Sequence, residues 1–298
     1  MSSVQICPSG FTLNTGARTF PTGNYTAFGA YLISGVWTGF PSQAFNVGAG
    51  GTTTAPSWDS AGSYTQVRND EFTSSTFDTT FWEKGWFPSS PTQVTLPVNT
   101  LEQACYNPSY VTQPGDGLLH FKLNHVTSTC GSGASLRTMP NTASLITSRG
   151  KVQRVGGNFE ARVFLPSNAA NQAVGWPSWW MNGVDPPLWP AHGEIDILEG
   201  LAGATKGYLH YDNGSGGDAN QGWSSASPFV GWHNVGAKWA STGATKTVTW
   251  FWDGVAMNSL SFPATTLEYF VLGYTISNSS ATPAFPSEML VDWVRIWQ

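Results

Sequence analysis

Nowhere does this sequence sustain the 3.6-residue apolar period of a packed helix. Short runs such as "GLLHFKLNHV" (117–126), "NFEARVFLP" (158–166), "KTVTWFWDG" (246–254) and "MLVDWVRIW" (289–297) alternate apolar with polar residues instead. Successive strand residues point to opposite faces, so each run puts one face on a core and the other outside. Glycine, proline, serine and asparagine separate the runs at fairly even spacing. Many short alternating runs with turn signals between them predict an all-β sandwich or barrel, a class that extends past about 200 residues as one domain. Hydrophobic residues make up 40% of the 298, enough for a large core, and no internal repeat of fixed period is visible.

Charge narrows the possible partners. Charged residues are 10% of the chain, where about a quarter is usual, so Ser, Thr, Asn and Gln carry the polar surface, as in many exported proteins. With 13 Lys and Arg and a formal net charge of −5, the chain is poorly suited to nucleic acid. No apolar run approaches the roughly 18 residues needed to span a membrane, and no cleavable signal pattern is visible at the N-terminus. Residues 1–63 are almost uncharged, rich in Gly, Ser, Thr and Pro, and end near the linker-like "GAGGTTTAPS" (48–57). They are expected to form a β-rich extension packing on a main domain over 64–298. Cys105 and Cys130 flank a polar loop and are either a disulfide or two buried thiols; Cys7 is left over.

The stretch "GEIDILEG" (193–200) conflicts with simple alternation. Glu194 and Asp196 share a strand face, which puts Glu199 on the other, unpaired in the core. A β-bulge near Ile197 or Leu198 removes the conflict by returning Glu199 to the face of the other two. Clustered carboxylates are what glycoside hydrolysis requires. At about 5–5.5 Å apart, one attacks the anomeric carbon while the other donates and then accepts a proton; at larger separation a water attacks instead. A generic acidic strand end before the Gly200 turn would also satisfy the spacing.

The surrounding sequence resembles glycoside hydrolase family sixteen, the laminarinase-type β-glucanases. "WPAHGEIDILEG" (189–200) fits the family's W-P-x-x-G-E-I-D-I-x-E signature. "NDEFTSSTFDTTFW", "DGLLHFKL", "GGNFEARVFLP", "GWPSWWMNG", "YLHY", "WHNVGAKW", "VTWFWDG" and "MLVDWVRIWQ" resemble further family segments in the family's order, from about Asp70 to Gln298. The resemblance implies a jelly-roll sandwich of two antiparallel sheets, concanavalin A-like, with an open concave cleft suited to cutting within polysaccharide chains.

It also implies residue roles. Glu194 becomes the nucleophile, Asp196 the assisting carboxylate and Glu199 the general acid/base, so Glu199 must start protonated. Trp189 resembles a Trp that stacks on sugar. Trp176 and Trp180 share strand parity and are expected in the cleft, with Trp179 in the core. His210 resembles a family His across from the acid/base. Glu102, in "NTLEQACYNP", and Arg162, in "FEAR", are expected to touch substrate, although for Arg162 a structural ion pair fits equally. Glu71 in "NDEF" and Asp292 in "LVDW" match the carboxylates of a structural Ca²⁺ site and otherwise form an unmetallated surface pair.

The expected activity is a retaining endo-hydrolysis of a neutral polysaccharide, β-1,3-glucan first, by a secreted monomer that needs no cofactor for catalysis. The alternatives are transglycosylation, hydrolysis of an agar- or carrageenan-type galactan, and sugar binding without catalysis. The scarcity of Lys and Arg disfavours sulfated galactans.

Overall fold

The computed structural model describes residues 55–298, apart from 186, 226–229, 243–244 and 264–266, and before them the backbone of four strands. The chain divides into two compact units, Met1–Thr53 and Thr54–Gln298. In the first, Gly23–Ala27 pairs antiparallel with Gln43–Val47, and Ala30–Ile33 with Val36–Gly39. The expected packing of this segment on the main domain falls outside the described residues. Residues just before position 64 belong with the second unit: Trp58 stacks on Phe251 with ring centroids 4.2 Å apart, and the Ser57 N–H donates to Glu160.

The second unit is all-β among the described residues and is built from two large sheets. The first runs in the order Asp218–Ser224, Ala204–Asp212, Glu194–Leu201, Trp176–Gly183, Glu268–Thr275, Asn141–Thr147 and Glu83–Lys84. The second runs Val255–Phe262, Thr245–Trp252, Gly231–Thr242, Gly157–Leu165, Ser287–Trp297, Leu119–Leu123 and Val111–Thr112, with Gln66–Asp70 added on Ser287–Trp297. Pairing between the described strands is antiparallel except for Ala104–Tyr106, which lies parallel to Asn141–Thr147. This is the expected jelly-roll sandwich.

Alternation builds the core between the sheets. Phe159, Ala161, Val163 and Leu165 from the second sheet meet Trp179, Met181, Ile195, Leu198, Leu209, Phe270 and Leu272 from the first, all buried. Phe159 and Phe270 make an edge-to-face contact at 5.1 Å, the geometry an aromatic quadrupole prefers. Cys105 and Cys130 form a disulfide, which settles the pairing the sequence left open.

One tight turn bears directly on the site. Glu194–Leu201 and Ala204–Asp212 are joined by Ala202 and Gly203, both at positive φ (55° and 78°). Two central residues of this kind match the twist of a hairpin. Holding alanine there costs about 1–2 kcal/mol, and the turn sets the register of the two strands.

Candidate active site

From that turn the ladder starts regularly, with Leu201 opposite Ala204 and Glu199 opposite Lys206. It then shifts, and Asp196 pairs with Tyr208 and Glu194 with His210. On the other edge Leu198 pairs with Trp179 but Asp196 with Trp180, so Ile197 has no counterpart. The expected bulge is therefore present. Continued without it, the Glu199–Lys206 register would set Ile195 opposite His210. With it, Ile195, Ile197 and Leu198 are all buried, while Glu194, Asp196 and Glu199 together line a cleft of ≈ 680 Å³.

Each carboxylate has an aromatic N–H donor beside it. The Trp189 indole donates to Glu194 Oε2 at 2.6 Å, and the Trp176 indole to Glu199 Oε1 at 3.2 Å. His210 Nε2 lies 3.4 Å from Asp196 Oδ2, and its Nδ1 is 3.0 Å from Asp218. Burial lowers the His210 pKa, but the bond to Asp196 and the surrounding carboxylates outweigh it and raise the pKa to about 10, so the ring is an imidazolium at neutral pH. Asp218 was not anticipated; its loop, "GSGGDANQ", reads as a surface turn, and only the hairpin to Ala204–Asp212 brings it to His210.

Burial, followed by the charge of Asp196, raises both glutamates, Glu194 to about 8 and Glu199 to about 7. Taken singly, that order is the reverse of what an ionised Glu194 and a protonated Glu199 require. The two glutamates and Asp196 share one site, and like charges so close do not all ionise together. The short Trp189 bond favours the anion on Glu194, and ionisation there holds the neighbouring proton on Glu199. The cleft can therefore hold one anionic and one protonated glutamate side by side.

The other expected residues divide. Trp176 and Trp180 line the cleft floor almost fully buried, whereas Trp189 is 49% exposed at its rim, the form suited to stacking on a sugar. Glu102 also lines the cleft, but the Val98 N–H donates to its Oε2 at 3.0 Å, so it holds the rim loop that carries Asn99, Thr100 and Leu101. Burial raises its pKa to about 7.

Arg162 does not join the cleft. It sits on the second sheet, ion-paired to Asp292 and lying over the Trp232 ring. Alternation explains the difference: along Gly157–Leu165 the inward positions are apolar, and Arg162 points away from them. Asp292 is thus engaged by Arg162, and Glu71 by both the Nε and an Nη of Arg295. The two carboxylates expected to hold calcium are neutralised by guanidinium groups, and no cluster of three His, Cys, Asp or Glu suited to a metal occurs among the described residues. The donor set does not fit a cation.

No protein-family model and no curated protein sequence matches the chain. Solved structures do. The laminarinase catalytic domain of Thermotoga maritima aligns with a TM-score of 0.64 at 22% identity, over 79% of this chain and 98% of its own. A non-specific endo-β-1,3(4)-glucanase of glycoside hydrolase family sixteen aligns at 0.61 and 23%, over 79% and 91%. A structure described with endo-acting O-glycanases of human gut bacteria that initiate mucin breakdown aligns at 0.66 and 21%, over 79% and 91%. At these identities the likeness establishes a shared fold.

Proposed function

We propose that the protein is an endo-acting, retaining glycoside hydrolase of the family-sixteen type, acting on a neutral β-glucan, with β-1,3-glucan the first choice. The observation that carries this reading is the bulge, which gathers Glu194, Asp196 and Glu199 in one cleft against the alternation of the strand. A binding protein would have no use for three carboxylates assembled at this cost in desolvation. The structural neighbours named as β-glucanases support the same reading.

In the first step Glu194 attacks the anomeric carbon as Glu199 passes its proton to the departing glycosidic oxygen. The Glu194 ester formed is then hydrolysed by a water whose proton returns to Glu199. The negative charge of Asp196, beside His210, keeps Glu199 basic enough to hold its proton. Trp189 fixes the Glu194 rotamer and presents its ring at the rim.

The cleft lining supports a neutral substrate. Among the described residues it contains Glu102, Asp185, Glu194, Asp196 and Glu199 but no Lys or Arg, so a sulfated chain would be repelled. Exposed Leu101, Leu188 and Trp189 offer apolar surface to flat sugar faces. Polysaccharides do not enter cells intact, so the proposed reading includes action outside the cell, a setting that the disulfide suits.

The test is reducing-sugar release from laminarin, lichenan, curdlan, agarose and carrageenan, with the product anomer read by proton NMR. Release of β-anomeric oligosaccharides from laminarin, abolished in folded Glu194→Gln and Glu199→Gln, is the expected result. Full activity in Glu194→Gln would reject the mechanism.

A further inference from the structure

The bulge is held from the core by a residue of the opposite sheet. Trp250, on Thr245–Trp252, is fully buried and donates its indole N–H to the backbone carbonyl of Asp196 at 2.8 Å. Asp196 is the residue at which both neighbouring ladders shift register. A bulge disrupts the local ladder, and a buried carbonyl left unpaired is costly. The chain opposite the bulge is shaped for this contact. Ile197 and Leu198 face one residue, Gly207, where an added Cβ would come within 2.8 Å of the Trp250 ring and 2.4 Å of the Trp223 ring. Only glycine leaves room for the indole to reach the Asp196 carbonyl.

We propose that Trp250 is a positioning residue for the reaction: by capping the Asp196 carbonyl it locks the bulge at Ile197 and so sets where Glu199 projects relative to Glu194. It touches no substrate and acts through the backbone. Glu194 precedes the shift and is held separately by Trp189. Loss of the Trp250 bond therefore acts on the Glu199 side of the bulge. This inference rests on the acid/base role proposed for Glu199, and its test separates the two.

The experiment compares wild type, Trp250→Phe and Glu199→Gln on laminarin and on a dinitrophenyl laminarioligosaccharide with sodium azide. The dinitrophenolate leaves without a proton, and azide needs no general base. Its nitrogen bonds to the anomeric carbon as the Glu194 ester bond breaks, releasing a β-glycosyl azide. A mispositioned Glu199 predicts a kcat on laminarin reduced about 10–100-fold in Trp250→Phe, part of the roughly 10²–10⁴-fold worth of general acid catalysis. KM should stay within about twofold, with near wild-type turnover on the activated donor plus azide. Equal loss on both substrates, or no loss on either, overturns the proposal. If Glu199→Gln itself keeps full activity on laminarin, the acid/base assignment fails and the positioning role falls with it. Should Trp250→Phe not fold, exchange of the Trp250 indole proton in the wild type decides. Protection up to the global unfolding limit is expected; free exchange refutes the bond.

Discussion

Glu268 sits at the end of Glu268–Thr275, opposite Gly183, with 0% exposure and, among the described residues, no hydrogen-bond partner for either carboxyl oxygen. Burial foremost, then the negative charges of Glu194 and Asp196, hold its acid protonated well above the usual carboxylate range. An unfolded glutamate ionises near pH 4.3. Above that pH the unfolded chain releases a proton that the folded chain keeps, so folding becomes harder as pH rises. The contribution of Glu268 is thus most favourable below the unfolded pKa and is lost as pH climbs toward the folded one. The slope is about 1.4 kcal/mol per pH unit for one such group. Glu268→Gln preserves shape and cannot ionise. Its stability relative to wild type should therefore rise by about 1.4 kcal/mol for each pH unit above the unfolded pKa, as long as the folded acid stays protonated. Urea unfolding of both proteins at several values between pH 4 and 7, with equal m-values, measures this difference directly. Parallel stability curves would mean that Glu268 is ionised and partnered in the folded state, and the reasoning would fail.

Other consequences are as specific. Trp189→Phe removes the N–H that favours the Glu194 anion, a charged bond worth about 1.5–3 kcal/mol; the acidic limb of kcat/KM should move up by roughly one pH unit or more, read from a pH–rate profile. Arg162→Met should leave kcat/KM on laminarin unchanged and cost no more than about 1 kcal/mol in thermal unfolding, since its pair with Asp292 is half-exposed on the second sheet. Replacing Cys105 and Cys130 by serine opens a loop of 25 residues and should lower stability by roughly 3 kcal/mol on loop-entropy grounds, with activity retained below the lowered Tm.

The site could be read from the sequence where chemistry is local. Glu194, Asp196 and Glu199 stand within six positions, and their clash with strand parity was itself the sign of a bulge. Trp176 and Trp180 reach the same cleft because strand parity carries a side chain to a known face, whereas Trp189, in the turn before the strand, and His210 were legible through the family resemblance. The residues that escaped are those brought in across space. Asp218 arrives through a hairpin, and Trp250 crosses the core from the other sheet. Arg162 and Asp292 show the converse: an ion pair was open for Arg162 from the sequence, but its partner was not, and adjacent strands of one sheet set it beside Asp292, which had been matched to a metal site.

The sequence by itself determined the all-β class, because a period of two cannot bury one face of a helix, and it determined the three carboxylates, because their spacing is covalent. Only the tertiary structure decided which residue is unpaired in the bulge, which donor serves each carboxylate and which arginine neutralises which acid. Those choices depend on strand register and on contacts between sheets. They are made by residues far apart in the chain whose pairing energies exist only once the sandwich has closed.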